Sequence, residues 1–469
     1  MGRRNKVQKI LEQLKVIDMA AEGKCISRYD NKVYFSKFTA PGDIIDLKVT
    51  RDKSAYGEGT PIKYHQKSSL RTEPVCEHFE ICGGCKWQHI AYTHQLSFKQ
   101  KQVKETLTRL AKVELPEISP IIGCEKTYAY RNKMDYTFTN YAWLTKEELD
   151  SGEIFDRRGL GFHVPGGYDK VLNINKCHLQ DDKTNVFRNF VRDYALEKNY
   201  TFYNIREQVG LLRNLIIRMT DTGETMLIVQ FGENIPDEIE DVMGAIKKQF
   251  PDLTALLYII NLKKNETFHD LDIHTYSGKD YIEEEMEGLR FRIGPKSFYQ
   301  TNSSQAYELY KLTRSLADIQ KTDIVYDLYT GTGTIALFVA KFAKKVIGVE
   351  YVPEAIEDAK LNAEVNKVEN VDFYAGDMKD VLNKEFVDEN GQPDVIILDP
   401  PRAGMHPSVI DTLLKIEAKR IIYVSCNPAT QARDLESLDV RYKVTAVQAV
   451  DMFPQTHHVE NICKLELRS

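Results

Sequence analysis

The sequence predicts an α/β protein in three parts. A doubly wound domain runs from about residue 294 to the end, with a small OB-like β-barrel over residues 1–64 and a mixed α+β region over 65–293 ahead of it. Three observations carry this prediction. Runs of Val, Ile and Leu alternate with helical stretches through the C-terminal part, the pattern of a parallel sheet covered on both faces. A Gly-rich turn, Thr330-Gly331-Thr332-Gly333, sits where the first of these strands gives way to a helix, a place where backbone approaches a ligand closely. The run Val395–Leu398 ends in Asp399-Pro400-Pro401. Proline lacks a backbone N–H, so the sheet stops there and Asp399 stands at the strand's carboxyl end, where open α/β sheets keep their ligands.

Composition sets the bounds. A chain of 469 residues is too long for one ordinary core. With 42% hydrophobic and 28% charged residues it belongs among soluble globular proteins. No apolar run approaches the roughly 18 to 20 residues of a transmembrane helix, and the basic, amphipathic N-terminus lacks a signal-peptide apolar region. The expectation is a cytoplasmic protein without membrane contact. A net charge of -6 argues against nonspecific coating of nucleic acid but leaves room for RNA on a local basic face. Eight cysteines are too few for a disulfide scaffold, so clustered ones point to metal or catalysis.

Taken in order, residues 1–15 read as a short helix with a basic face. Residues 31–35 and 43–49 read as strands joined through a Pro41-Gly42 turn, and small barrels of this kind commonly bind RNA. Cys76, Cys82 and Cys85, with Gly83-Gly84 between the last two, want a fourth ligand. Cys177 is the best candidate, with His178 and His89 behind it, and the set suits either an iron–sulfur cluster or zinc. Residues 94–114 read as an amphipathic helix on Leu96, Phe98, Val103, Leu107 and Leu110. The mixed region carries strands at 133–138, 215–219, 225–229 and 255–260. Its arginine-rich spots, Tyr130-Arg131-Asn132-Lys133 and Arg157-Arg158, suit phosphate contact or plain solvated charge.

The C-terminal strands are residues 324–327, 345–350, 371–374, 395–398 and 421–425. Glu350, ending the second, is placed for ribose hydroxyls, and Gly331-x-Gly333-x-x-Ala336 would pass as a dinucleotide fingerprint. Gly376-Asp377 after the third strand, as if to contact an adenine, and the Asp-Pro-Pro after the fourth argue against that reading. No hydride-acceptor constellation accompanies them.

Five ordered motifs then coincide: Ser297-Phe298-Tyr299-Gln300-Thr301-Asn302, Asp327–Gly333, Asp399-Pro400-Pro401-Arg402-Ala403-Gly404, Ser425-Cys426-Asn427-Pro428 and His458-Val459-Glu460. Through them the chain resembles the RNA (uracil-5-)-methyltransferase family, in particular its 23S ribosomal RNA branch. The resemblance implies a class I (Rossmann-like) S-adenosylmethionine-dependent domain over 294–469 and a TRAM domain in the N-terminal barrel. It also implies a [4Fe-4S] cluster on Cys76, Cys82, Cys85 and Cys177, with zinc the lesser alternative. It makes Cys426 the nucleophile that adds to uracil C6, and Glu460 the base that removes the C5 proton. Gln300, Tyr329, Glu350 and Asp399 would hold the cofactor, with Asp377 near the adenine and Gly331 and Gly333 allowing close backbone approach. Thr334 stands where some relatives carry asparagine. The helix near 94–114 would pack on the catalytic domain, and Phe298, Tyr299 and Phe453 are candidates to stack on a flipped base. The chemistry agrees: C5 is a poor nucleophile until a thiolate at C6 drives charge onto it.

Ribosomal RNA is the expected partner of a monomeric enzyme, with the transfer-RNA T-loop uridine as the main alternative. An RNA cytosine-5 methyltransferase would add a second cysteine beside the Asp-Pro motif, where Arg402 stands. A base N-methyltransferase would leave Cys426 unexplained. A noncatalytic RNA-binding assembly factor would have no use for both Cys426 and Glu460.

Overall fold

The computed structural model describes residues 9–468. At the N-terminal end five strands close into a barrel in the order Ile10–Met19, Cys25–Tyr29, Lys32–Ser36, Tyr56–Gln66, Ile44–Asp52. Leu11, Leu14, Val16, Cys25, Tyr34, Ile45 and Leu47 fill it. The helix expected over residues 1–15 is thereby corrected: residues 10–19 are a strand, and residues 1–8 lie outside the described residues. A bulge explains the difference. Gln13 takes a left-handed backbone (φ 49°), and the pairing with Ile44–Asp52 shifts between Leu11 and Leu14. Two inward residues therefore stand three apart, as on a helix, in a strand whose ordinary period is two.

The central region holds a seven-stranded sheet in the order His274–Gly278, Ala255–Ile260, Thr225–Phe231, Leu212–Met219, Lys133–Thr139, Gly159–His163, Val171–Asn173. Neighbours are antiparallel except Thr225–Phe231 and Ala255–Ile260. The helices Asp182–Glu197 and Pro236–Gln249 share its core, around Leu215, Ile217, Leu227 and Val229.

The C-terminal sheet has eight strands, in the order Val371–Ala375, Lys345–Glu350, Ile324–Leu328, Val395–Leu398, Arg420–Ser425, Glu460–Leu467, Tyr442–Val450, Ser119–Ile122. The first five are parallel and begin and end within one residue of the runs read from the sequence. Val395 to Leu398 are all buried, as a strand covered on both faces requires. Ile324–Leu328 lies between Lys345–Glu350 and Val395–Leu398, so strand order reverses at its carboxyl end and opens a crevice there. Glu460–Leu467 inserts antiparallel beside Arg420–Ser425.

The helix Tyr92–Leu110 packs through Val103 and Leu107 into the core beneath this sheet, and the strand Ser119–Ile122 that follows joins its edge. Leu110, expected on the apolar face, is turned to solvent, and the buried face is Gln95, Lys99, Val103 and Leu107. Among the described residues no helix is long and apolar enough to cross a membrane.

Candidate active site

The crevice is built on two glycines. Gly333 has φ 77° and precedes the helix Thr334–Ala340; a Cβ there would meet Phe373 at 2.8 Å and Ala359 at 2.9 Å. Gly331 has φ 56°, and its missing Cβ would point into open space, so the backbone faces the crevice bare. The Gly331 N–H donates to Glu350 Oε2 (3.1 Å), and the Val352 N–H donates to Oε1 of the same carboxylate (3.0 Å). Glu350 thus stands beside the Gly loop at the end of the second strand. Tyr329, also left-handed (φ 64°), donates its N–H to Val349 O (2.9 Å). Asp377 caps the short helix Met378–Val381 and pairs with Lys379 at 3.1 Å. Gln300 does not cap the helix Ser303–Ala317. Asn302 does, while Asn132 grips the Gln300 carbonyl (2.8 Å). The Gln300 side chain therefore remains available to a ligand.

Two chain segments far apart in sequence meet at Cys426 and Glu460. Ser425 pairs with Asn461 across antiparallel strands, which brings Cys426, one residue beyond that pair, near enough to Glu460 to feel its charge. The Ser425-Cys426-Asn427-Pro428 motif is a strand end, a half-buried bend of one residue, an N-cap and a first-turn proline. Asn427 accepts from the Ala429 N–H (3.1 Å) as the cap of the helix Pro428–Leu438. Cys426 therefore sits just before a helix N-terminus, whose partial positive charge favours a thiolate. Burial and the Glu460 charge push the thiol up to about 11, while Arg402, by charge and hydrogen bond, pulls it down. Arg402 is held in place: Asn427 Nδ2 (3.0 Å) and Thr430 Oγ1 (3.2 Å) donate to its carbonyl, and its Nη2 lies 3.3 Å from His458 Nδ1. Burial first, then Arg402, lowers His458 to about 4, so the ring is neutral and accepts that bond.

Three carboxyls crowd the same crevice. Burial pushes Asp327 and Asp399 each up to about 7, and burial followed by the Asp399 charge pushes Glu460 up to about 8. Tyr310, fully enclosed below them, feels the charge of all three. A carboxyl raised in the folded state stabilises fully below its unfolded value and loses that contribution as pH climbs through its folded value. The ligand-free protein is therefore expected to melt at a lower temperature at about pH 8.5 than at about pH 5. Differential scanning calorimetry checks this, and equal melting at both would contradict it.

Cys76, Cys82, Cys85 and Cys177 line one cavity of about 580 Å³. Each sulfur meets N–H donors. The backbones of His78 and Phe79 serve Cys76, Gly84 lies 3.5 Å from Cys82 Sγ, Gln88 serves Cys85, and Leu179 and Gln180 serve Cys177. Among the described residues no three His, Cys, Asp or Glu side chains converge closely enough to hold one metal ion. His178 lines the cavity too, whereas His89 bonds Thr39 O at 3.0 Å. The cavity reaches Arg402, His458, Phe453 and Thr301, so the cysteine loop and the crevice share a wall. Of the aromatic candidates, Phe298 is 67% exposed, Phe453 lines the cavity, and Tyr299 is buried with an unpaired hydroxyl.

Sequence reasoning named no role for Arg402, His458 or Tyr310. Arg402 and His458 both stand in the motifs quoted above, and their charged or titratable side chains there are the available signal. Arg157 and Arg158 are used locally, on Ala142 O and Asp156.

A family model described as tRNA (Uracil-5-)-methyltransferase matches residues 229–468. A Bacteroides thetaiotaomicron protein named "Uncharacterized RNA methyltransferase" is 57% identical, over 96% of this chain and 100% of that one. A protein of the same name from Porphyromonas gingivalis is 51% identical, over 96% and 99%. Among solved structures, the Pyrococcus abyssi tRNA (uracil-54, C5)-methyltransferase in complex with S-adenosyl-L-homocysteine superposes with a TM-score of 0.74 at 28% identity, covering 96% of this chain and 100% of that one.

Proposed function

We propose, for a chain that belongs to the tRNA (uracil-5-)-methyltransferase family, that it methylates C5 of a uridine in 23S ribosomal RNA through a covalent adduct on Cys426. The protein is an S-adenosylmethionine-dependent RNA uracil methyltransferase. The observation that carries the covalent mechanism is the closeness of Cys426 to Glu460, brought together by the pairing of Ser425 with Asn461.

S-adenosylmethionine supplies a methyl group on a sulfonium. Gln300, Tyr329, the Gly331–Gly333 backbone, Glu350, Asp377 and Asp399 are the groups that would hold and orient it. Cys426, assisted by Arg402 and the helix N-terminus behind it, adds to uracil C6 and drives charge onto C5. C5 takes the methyl group. Glu460 then accepts the C5 proton, the C6–S bond breaks, and the cysteine leaves as thiolate. Since Glu460 must be ionised to act as a base, and acts only after the methyl group has moved, the rate at which the methylated adduct resolves is expected to rise with pH up to about 8 rather than level off near the usual carboxylate range. A pH–rate profile flat from about pH 6 would contradict this.

The cysteine cavity has the donors a polynuclear group needs. Four thiols share it, and each sulfur meets N–H donors of the kind that stabilise cluster thiolates. Cys76, Cys82, Cys85 and Cys177 would hold a [4Fe-4S] cluster that organises the RNA-binding face. Protein isolated without oxygen should carry on the order of four irons per chain, lost in Cys82→Ser. Stoichiometric zinc instead would overturn the assignment.

Residues 1–64, 65–293 and 294–469 serve as a TRAM barrel, a central domain and a catalytic domain, with the helix Tyr92–Leu110 and the strand Ser119–Ile122 lent to the third. The enzyme acts as a monomer in the cytoplasm. The ribosomal reading rests on the barrel and the cysteine set. A second reading, the transfer-RNA T-loop uridine, is favoured by the Pyrococcus abyssi enzyme, which matches this chain over nearly its whole length. Methylation of ribosomal and transfer RNA transcripts with labelled cofactor separates them: label confined to transfer RNA would reverse the preference.

A further inference from the structure

Glu460 lies 7% exposed, and among the described residues no hydrogen bond or ion pair holds its carboxylate. Its position is therefore set by the backbone on either side. On the C-terminal side the strand pairing does this. On the N-terminal side stands the turn 451–459, and its centre is Gln455, 3% exposed and left-handed at φ 68°. A buried residue with a Cβ adopts that conformation only where its surroundings over-determine it.

They do. The Gln455 N–H donates to Gln95 Oε1 (2.9 Å), and Gln95 Nε2 donates to Gln455 Oε1 (2.9 Å). The Gln455 carbonyl accepts from the N–H groups of both Lys86 (2.9 Å) and Trp87 (3.0 Å), the residues directly after Cys85. At the start of the turn, Asp451 and Lys99 form a pair at 2.5 Å, both fully buried. Lys99 also donates to Phe453 O (3.1 Å), and Tyr92 donates to Asp451 Oδ2 (2.9 Å). Tyr130 donates to Pro454 O (2.9 Å). At its far end the turn carries His458, which faces Arg402.

We propose that Gln455, locked between Gln95 and the Lys86–Trp87 backbone, is a positioning residue for Glu460. It fixes the turn so that the carboxylate stands opposite Cys426, and through Lys86 it ties that placement to the seating of the cysteine loop. The inference rests on the roles given above to Cys426 and Glu460.

Loosening the turn should impair the step Glu460 performs and spare the earlier ones. With the C5 proton left in place, the methylated uracil cannot eliminate the cysteine, so a denaturation-resistant protein–RNA adduct should accumulate on ordinary uridine RNA. The test uses Gln455→Gly, which keeps the left-handed backbone without strain but removes the side-chain lock, and Gln95→Leu, which removes the partner. Adduct formation is expected to stay within about threefold of the parent, while product release slows at least about tenfold and adduct builds up. Binding of S-adenosylhomocysteine should be retained.

Equal slowing of both steps without adduct, no change in either, or loss of S-adenosylhomocysteine binding in both variants would overturn the proposal and leave Gln455 a structural residue. Failure of the parent protein to be trapped on 5-fluorouridine RNA is a separate outcome. It would remove the covalent reading itself and this inference with it.

Discussion

Replacing Cys426 by alanine is expected to lower methylation by on the order of 10⁴-fold or more, as loss of a nucleophile does in covalent catalysis. S-adenosylhomocysteine binding should remain within about twofold, because the cofactor groups lie on other strand ends. The thiol bears the whole reaction: without a C6 substituent, C5 has no charge with which to attack a sulfonium methyl. Arg402 and the helix Pro428–Leu438 serve only to make that thiolate accessible from a resting value near 11. Methylation measured with labelled cofactor checks the loss. Retention of substantial activity would assign the chemistry to another class.

Glu460→Gln should behave differently. Turnover is expected to fall by about 10²- to 10⁴-fold, but with the covalent methylated intermediate accumulating rather than failing to form. The same substitution carries a stability signature of predictable sign. Glu460 is raised to about 8, so near pH 5 it is neutral and glutamine is nearly equivalent. Near pH 8.5 the ionised carboxyl is buried beside Asp399, and Glu460→Gln should then melt higher than the parent. A variant less stable than the parent at the higher pH would contradict the environment described for Glu460.

The parallel strands could be read from sequence because burial on both faces leaves unbroken Val and Ile runs, with Asp399 and Cys426 marked by the prolines beside them. The barrel's first strand could not, since the bulge at Gln13 disguises its period. The antiparallel strands Tyr442–Val450 and Glu460–Leu467 carry no comparable unbroken run of Val and Ile. The approach of Cys426 to Glu460 depends on the register between Arg420–Ser425 and Glu460–Leu467, which no local pattern encodes. The same holds for Lys99 with Asp451 and Gln95 with Gln455. Polar residues on a helix read as its solvent face until the partner that buries them is known, which is why the pattern points Leu110 inward and Lys99 outward. Motif resemblance supplied Glu460 where spacing gave no hint.

The measurement that bears most directly on the mechanism is trapping on RNA containing 5-fluorouridine in the presence of S-adenosylmethionine, followed by peptide mapping of the adduct. Fluorine cannot leave C5 as a proton does, so the reaction should stall with the methylated base bound to the protein. The mechanism predicts a denaturation-resistant adduct on the peptide containing Cys426, absent from Cys426→Ala. Methylation of uridine RNA without any adduct on 5-fluorouridine RNA, or an adduct on another residue, would contradict it.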